Sequence, residues 1–297
     1  MQKLLFVVTS FATCSATFGA DSVPALQWVK TIGGAGNQSV ASAAVDSHGS
    51  TYIVGSTTSL NFPVASAGQS IPGGSPLARV NLVTGAASRL FPENLPSIAV
   101  AAASASEPGA LYAGSGSRVL KSTDAGATWT VLYQFPSSVN VAGVAVHPTV
   151  STTLYAGTST IGVQRSKDGG VTWTAVNNGL PAQADGSFGV RSVWVDPSAA
   201  NVIFASSGFG LMRSADGGDS WVAAAGGGPY SPLAFDPVTA GTVYYGNGND
   251  VLKSTDDGAT FARVTSLPNQ AGLITLAVDA AGGGALRGVD IRAVRKR

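Results

Sequence analysis

Short apolar runs, each four to six residues long, recur between polar turns along most of the chain. They follow a fixed order: a first run that often ends in Asp-Pro or His-Pro, a second of the type Leu-Tyr-Ala-Gly, and a third that ends in Ser. A fourth run follows an aromatic residue. Runs of this length are the size of β-strands, and no long stretch has helical periodicity. The pattern predicts an all-β chain of short antiparallel strands.

The third and fourth runs are joined by the pattern Ser-x-Asp-x-Gly-x-x-(Trp/Phe), which we call the box. It occurs four times, and its aspartates are separated by 44, 48 and 40 residues. Gly supplies the positive φ that a tight hairpin needs, and Asp and Ser can bond backbone N–H groups within the turn. We expect the aromatic ring to pack against the next unit. The box residues, all predicted to be structural, are Ser122, Asp124, Gly126, Trp129, Ser166, Asp168, Gly170, Trp173, Ser214, Asp216, Gly218, Trp221, Ser254, Asp256, Gly258 and Phe261.

Four strands repeated at about 45 residues predict a β-propeller, in which each four-stranded antiparallel blade packs against its neighbours. We expect six blades, or seven if the long first unit contains two. The first blade should have strands at 39–46, 51–55, 77–82 and 86–90, and the last should lack part of its own sequence. The predicted blades are 39–92, 97–132, 139–176, 190–223, 231–264, and 273–297 completed by 26–32. The N-terminal strand would then close the ring and remove its open sheet edges.

Residues 1–20 are predicted to be a secretory signal, because Lys3 precedes a short apolar run and a stretch of small residues. The apolar run is too short to span a bilayer. The single cysteine, Cys14, lies within this segment, and its context is a poor lipidation site. We therefore expect a secreted or periplasmic protein with one propeller domain, 21–297, that neither crosses nor is anchored to a membrane.

The composition argues against several classes of function. Charged residues are 11% of the chain and the net charge is +1, so no broad field would steer it to nucleic acid. The only histidines, His48 and His147, form no metalloprotease motif or catalytic triad. His147 follows the first strand in the position where other units have Asp196 and Asp236, which predicts a turn role. Neither a cofactor nor a metal is expected.

The four boxes resemble the BNR/Asp-box repeat over about 97–264. That repeat occurs in sialidases, xyloglucan-cleaving glycoside hydrolases, sortilin-like receptors and photosystem II assembly factors. The resemblance implies a propeller in which the box is a fold element away from any active site. In addition, the segments Trp28–Gly34, Tyr52–Thr57 and Asn61–Pro63 resemble the SBBP repeat of exported bacterial propellers.

Glycoside cleavage would require two carboxyl groups, one of them protonated as the general acid. The two glutamates, Glu93 and Glu107, lie in predicted turns. The box aspartates and those that end a first strand are assigned to the fold. Apart from Asp21 at the signal junction, the aspartates without a structural assignment are Asp185, Asp219, Asp250, Asp257 and Asp290.

Ligand binding is expected at one face of the propeller, through the loops between the second and third strands and between successive blades. Aromatic, amide and carboxylate groups there would suit a carbohydrate or a peptide. The candidate residues are Tyr133, Phe135, Asp185, Phe188, Arg191, Tyr230 and Asn269. The basic residue before each box serine is expected to be solvated or paired with a nearby aspartate; these residues are Lys121, Arg165, Arg213 and Lys253.

The sequence thus favours an exported, monomeric, non-catalytic propeller that binds a protein or a glycan. One alternative is a glycoside hydrolase of the sialidase-like or xyloglucanase-like kind. The other is a fragment of a larger propeller array, suggested by the missing fifth box.

Overall fold

A computed structural model describes residues 100–224, 232–236, 238–248 and 250–266, and outside these ranges the backbone of short strands only. Every regular element it describes is a β-strand. Among the described residues no helix is long and apolar enough to cross a membrane.

Five four-stranded antiparallel sheets follow one another along the chain, and we call them blades 1 to 5. A two-stranded sheet follows blade 5. Blade 1 contains β3 (Gln38–Val45), β4 (Thr51–Thr57), β5 (Leu77–Val80) and β6 (Ala87–Arg89); blade 2 contains β7 (Val100–Ala103), β8 (Leu111–Ser115), β9 (Arg118–Ser122) and β10 (Thr130–Gln134); blade 3 contains β11 (Val141–Val146), β12 (Leu154–Thr158), β13 (Val163–Ser166) and β14 (Thr174–Ala175); blade 4 contains β15 (Val190–Val195), β16 (Ile203–Ser207), β17 (Gly210–Ser214) and β18 (Val222–Ala223); blade 5 contains β19 (Leu233–Phe235), β20 (Val243–Asn247), β21 (Asp250–Ser254) and β22 (Ala262–Ser266); the last sheet contains β23 (Thr275–Asp279) and β24 (Ala285–Val289).

The predicted all-β architecture of four-stranded antiparallel blades is confirmed, and the four predicted strands of blade 1 are present. In the last sheet, the two predicted strands pair as β23 and β24. The N-terminal strand Lys30–Thr31 (β2) pairs in parallel with Phe6–Val7 (β1). Closure of the ring by 26–32 and the number of blades therefore stay predictions.

Each blade has two edges with different turns. The turn between the first and second strands and the box between the third and fourth lie at one edge, which we call the box edge. Backbone hydrogen bonds of 2.8–3.0 Å join these two turns in blades 2 to 5, for example from Gly169 N–H to the Thr152 carbonyl. The turns between the second and third strands, and the connections between blades, lie at the opposite edge, the loop edge.

The hydrophobic core lies between blades. One cluster joins Tyr112 and Val119 of blade 2 to Val141 and Leu154 of blade 3, and similar clusters join blades 3 and 4 and blades 4 and 5. The second strand of a blade is covered on both faces, so all residues of β8, β12 and β16 are buried. This two-sided burial explains why these runs are continuously small or apolar.

Candidate functional site

The four boxes have the same hydrogen-bond network. The serine Oγ accepts the N–H of the box glycine at 2.8 Å and donates to the aspartate Oδ1 at 2.6–2.8 Å. The aspartate also accepts bonds from the N–H and hydroxyl of the residue four positions later. The sequence pattern overlooked that hydroxyl residue, although Thr128, Thr172, Ser220 or Thr260 occupies the position in each copy. The box is therefore a closed turn that satisfies its own polar groups.

These bonds keep the box aspartates ionised. In blade 3 the Thr172 hydroxyl and N–H, together with Ser166, lower the pKa of Asp168 from 3.8 to about 2. Hydrogen bonds from equivalent groups lower the pKa of Asp124, Asp216 and Asp256 to about 2 as well. A general acid for glycoside cleavage needs a raised pKa. The pKa values of the box aspartates are shifted in the opposite direction.

The aromatic residue of the box packs against the preceding blade, which corrects the expectation that it faces the next one. The Trp173 ring lies 5.7 Å from the Phe135 ring of blade 2, and the Trp221 indole N–H donates to the Val176 carbonyl at 2.7 Å. Trp221 is buried. The box thus continues the hydrophobic core between blades.

The basic residue before the box serine is directed to the following blade in two of the four copies. Arg165 donates to the Gly217 carbonyl at 2.8 Å, in the box of blade 4, and pairs with Asp219 at 2.8 Å. Arg213 donates in the same way to the Asp257 carbonyl at 2.7 Å, in the box of blade 5. Lys121 instead pairs with Glu107 of its own blade at 2.8 Å. The expected pairing with a nearby aspartate is found for Arg165, whereas Lys121 pairs with a glutamate. Arg165 and Arg213 also connect neighbouring blades.

The turns between first and second strands are capped by a side chain at one fixed position. In blades 4 and 5, Oδ1 of Asp196 and Asp236 accepts two backbone N–H groups of the turn that follows. In blade 3, His147 Nδ1 accepts the N–H groups of Thr149 and Val150 at 3.3 and 3.1 Å. His147 therefore has the predicted turn role.

At the loop edge, the carboxylate of Asp185 is bonded within its own loop. Its Oδ1 accepts the N–H and the hydroxyl of Ser187 at 2.9 and 2.7 Å. These bonds lower the pKa of Asp185, so the exposed side chain is an ionised turn cap.

Two aromatic candidates contribute to packing between blades. Tyr133 was predicted to lie in the loop after the fourth strand, but that strand continues to Gln134 and includes it, and Phe135 is buried. Both rings contact Trp173 of the next blade, at centroid distances of 6.2 and 5.7 Å. Their aromatic surface is therefore largely used by the fold.

The remaining described candidates flank the first strand of blade 4. Phe188 is partly buried, and its backbone bonds the β12–β13 turn through Thr160 and Gly162. Arg191 is exposed at a β-bulge, since Val190 pairs with Ser207 and Ser192 with Ser206. A bulge redirects the extra side chain relative to the sheet. Tyr230 and Asn269 lie outside the described residues.

One exposed aromatic ring at this edge was not among the predicted candidates. Phe209 occupies the two-residue turn between β16 and β17, and the residue is 59% exposed. It is the only aromatic residue in the exposed class within the part of the chain that the structure describes. The sequence signal is Ser-Gly-Phe-Gly between two strands, where an aromatic residue replaces the usual polar turn residue.

Nearly all carboxylates of the described side chains have a role in the fold. The boxes, the strand-end turns and the Asp185 loop account for seven, and Glu107, Asp219 and Asp250 contact a basic or hydroxyl group. Within the same described set, no hydrogen bond or ion pair is found for the Asp257 carboxylate. Among the described residues, no group of three or more potential metal ligands is assembled.

Comparisons with known proteins identify propeller enzymes among the relatives. No protein-family model matches the chain. A xyloglucanase of Hypocrea jecorina (strain QM6a) is 31% identical over 156 residues, which are 51% of this chain and 17% of that enzyme. The chain therefore spans only a small part of that relative.

Solved structures support the fold. A GH74 enzyme of Niastella koreensis aligns with a TM-score of 0.62 and 16% identity, covering 84% of this chain and 44% of that one. YCF48, solved with a D1 peptide bound, aligns with a TM-score of 0.53 and 14% identity, covering 85% of this chain and 91% of that one. At these identities the likeness concerns the fold alone. The chain is similar to these β-propeller proteins in its all-β, four-stranded antiparallel blades.

Proposed function

We propose that the protein acts on xyloglucan or a similar β-glucan, as a glycoside hydrolase or as the substrate-holding propeller of one. The observation that supports this most is the 31% identity to a xyloglucanase over half of the chain. The sequence comparison favours this hydrolase alternative over the non-catalytic module preferred from the sequence.

In this proposal the box edge of the blades has a structural role and the loop edge binds the substrate. The box edge is made of closed turns whose polar groups are satisfied by one another. The loop edge carries Phe209, which offers an exposed apolar ring to a sugar chain, and Arg191 lies at the same edge. Protein sites for sugars combine such apolar and polar groups. We place the polysaccharide at the loop edge.

Hydrolysis also needs a carboxyl group that is protonated near neutral pH. The pKa shifts of Asp124, Asp168, Asp185, Asp216 and Asp256 are all downward. We therefore assign the role of general acid to none of these five aspartates, and we assign substrate holding to the described blades. Since the substrate is an extracellular polymer, we also propose that the protein is exported and that 1–20 is its signal segment.

A second candidate function is a non-catalytic glycan-binding propeller of BNR/Asp-box type. It is supported by the carboxylates of the described residues, which, except for that of Asp257, already bond other groups of the fold in turns and ion pairs. Both candidates share the polysaccharide and differ only in bond cleavage.

Two assays on the purified full chain separate these functions. Release of reducing ends from xyloglucan would establish hydrolysis, with cellulose and laminarin as comparison polymers. Retardation in a native gel containing xyloglucan, without new reducing ends, would establish the binding module. If neither signal rises above that of albumin, both candidates are wrong.

A further inference from the structure

The backbone of the turn that carries the exposed Phe209 is fixed by hydrogen bonds. Ser207 Oγ accepts the Phe209 N–H at 3.2 Å and donates to the Gly210 carbonyl at 3.1 Å. Ser207 and Gly210 are also paired across the hairpin, and Gly210 has a φ of 116°. Hydrogen bonds thus fix the backbone at three residues of the turn, while Phe209 as a residue is 59% exposed.

The fold itself does not require an aromatic residue there. The same two-residue turn joins β8 to β9 and β20 to β21, with Ser115 paired to Arg118 and Asn247 to Asp250. The residues that correspond to Phe209 in those turns are Ser117 and Asn249, both polar. Exposing an apolar phenyl ring to water is less favourable than exposing a polar side chain at the same position. The aromatic residue is therefore specific to blade 4.

The position of Phe209 in the blade matches the place we assign to the polysaccharide. Arg191 bulges from β15 beside Ser207, one strand away from the turn. With strands about 4.8 Å apart, the Arg191 and Phe209 backbones are roughly 5 to 10 Å from each other. An exposed ring and a guanidinium thus share one blade edge, opposite the four boxes.

We infer that Phe209 is a stacking platform for a pyranose ring of a β-glucan. The axial C–H bonds of a β-linked glucose unit give it an apolar face, and the negative π face of a phenyl ring attracts such C–H groups. Binding covers both apolar surfaces, and the hydrogen-bonded turn that carries the ring loses little conformational entropy. This inference rests on the proposed function and adds the residue that contacts the sugar.

Affinity electrophoresis in xyloglucan tests the inference with four variants. Phe209→Ala should raise the dissociation constant about 5- to 10-fold, as expected for one lost stacking contact. Phe209→Trp should keep the affinity within about twofold of the original protein, whereas Phe209→Leu should not restore it, because leucine is apolar but has no π face. Val171→Ala is the matched control, since Val171 is 69% exposed in the box of blade 3, and it should leave retention unchanged.

The outcomes separate this inference from the proposed function. If the unmodified protein is retained and Phe209→Ala is retained equally, the stacking role is wrong while the proposed function stands. Full recovery by Phe209→Leu would also contradict stacking, because general hydrophobic contact would then suffice. If the unmodified protein neither binds nor cleaves a β-glucan, the proposed function fails and this inference with it. The thermal midpoints of the variants should match, since the ring is mostly outside the core.

Discussion

At the residue scale, a few hydroxyl and carboxylate groups decide whether each hairpin can close. Ser166 is buried, and its Oγ bonds both the Gly170 N–H and the Asp168 carboxylate. Within the box of blade 4, the Ser214 hydroxyl bonds the Gly218 N–H and the Asp216 carboxylate, and the Trp221 indole N–H reaches the Val176 carbonyl of the preceding blade. Recurrence of the pattern therefore reflects the demands of the turn.

Ser166→Ala should destabilise the protein by about 1–3 kcal/mol, because it leaves the buried Gly170 N–H without an acceptor. Urea denaturation measures this change in the free energy of unfolding. Ser106→Ala, at an exposed serine in the turn between β7 and β8, serves as the control and should change stability by less than about 0.5 kcal/mol. Equal effects of the two substitutions would show that the box bond is dispensable.

The His147 turn predicts that stability depends on pH near neutrality. Burial lowers the pKa of His147 below 6.5, and only the neutral ring can accept bonds at Nδ1. The unfolded chain then binds the proton more tightly, so this stability is complete above about pH 6.5 and is lost as pH falls through the folded-state pKa. The thermal midpoint should decrease as the pH is lowered from 7 to 5. His147→Asp should reduce that fall, and an unchanged slope would argue against the cap.

At the element scale, side chains of the second and third strands of blade 3 hold it to blade 4. Arg165 and Tyr155 both donate to the Gly217 carbonyl of blade 4. Arg165→Met should cost about 1–2 kcal/mol through the lost charged hydrogen bond, as measured by urea denaturation. Lys167→Met, at an exposed position two residues away, is the control. A similar loss in both variants would mean that charge, rather than this contact between blades, is responsible.

The loop from blade 3 to blade 4 depends on one close approach of backbones. At Gly179, where φ is 89°, an added Cβ would lie 2.2 Å from the Trp221 carbonyl oxygen. Gly179→Ala should therefore lower stability by more than about 2 kcal/mol in thermal or urea denaturation. Gly186→Ala in the same loop has a similar φ of 79° but open space around it, so it should cost only about 1–2 kcal/mol of backbone strain. If the two variants were equally stable, the close approach would not matter.

The sequence predicted the blades well because each strand and turn repeats the same local chemistry. The strand-end position filled by Asp196, Asp236 and His147 could be recognised from spacing alone. The direction of the box aromatic and of Arg165 could not, because both depend on how blades pack, which one repeat does not encode. Phe209 was missed for the opposite reason, because it differs from the residues at the same position of the other repeats. Such a difference indicates a binding role only when the residue is known to be exposed.

At the scale of the whole molecule, hydrophobic cores lie between blades rather than within them. Each described core cluster takes residues from two neighbouring blades, so a blade cannot bury its faces alone. Because the core lies between the blades, the turns at the two edges of the blades can have different residues and different roles. Here the box edge is occupied by self-satisfied turns, and the loop edge carries the exposed ring and guanidinium that we assign to the polysaccharide.

The most direct test of this division is the response of folded Asp168→Asn protein to xyloglucan. The substitution removes the box charge with little change in shape. The account predicts a lower thermal midpoint together with unchanged retention and unchanged release of reducing ends, measured well below that midpoint. A folded Asp168→Asn protein that no longer binds or cleaves xyloglucan would contradict it, because the box carboxylate would then act on the substrate.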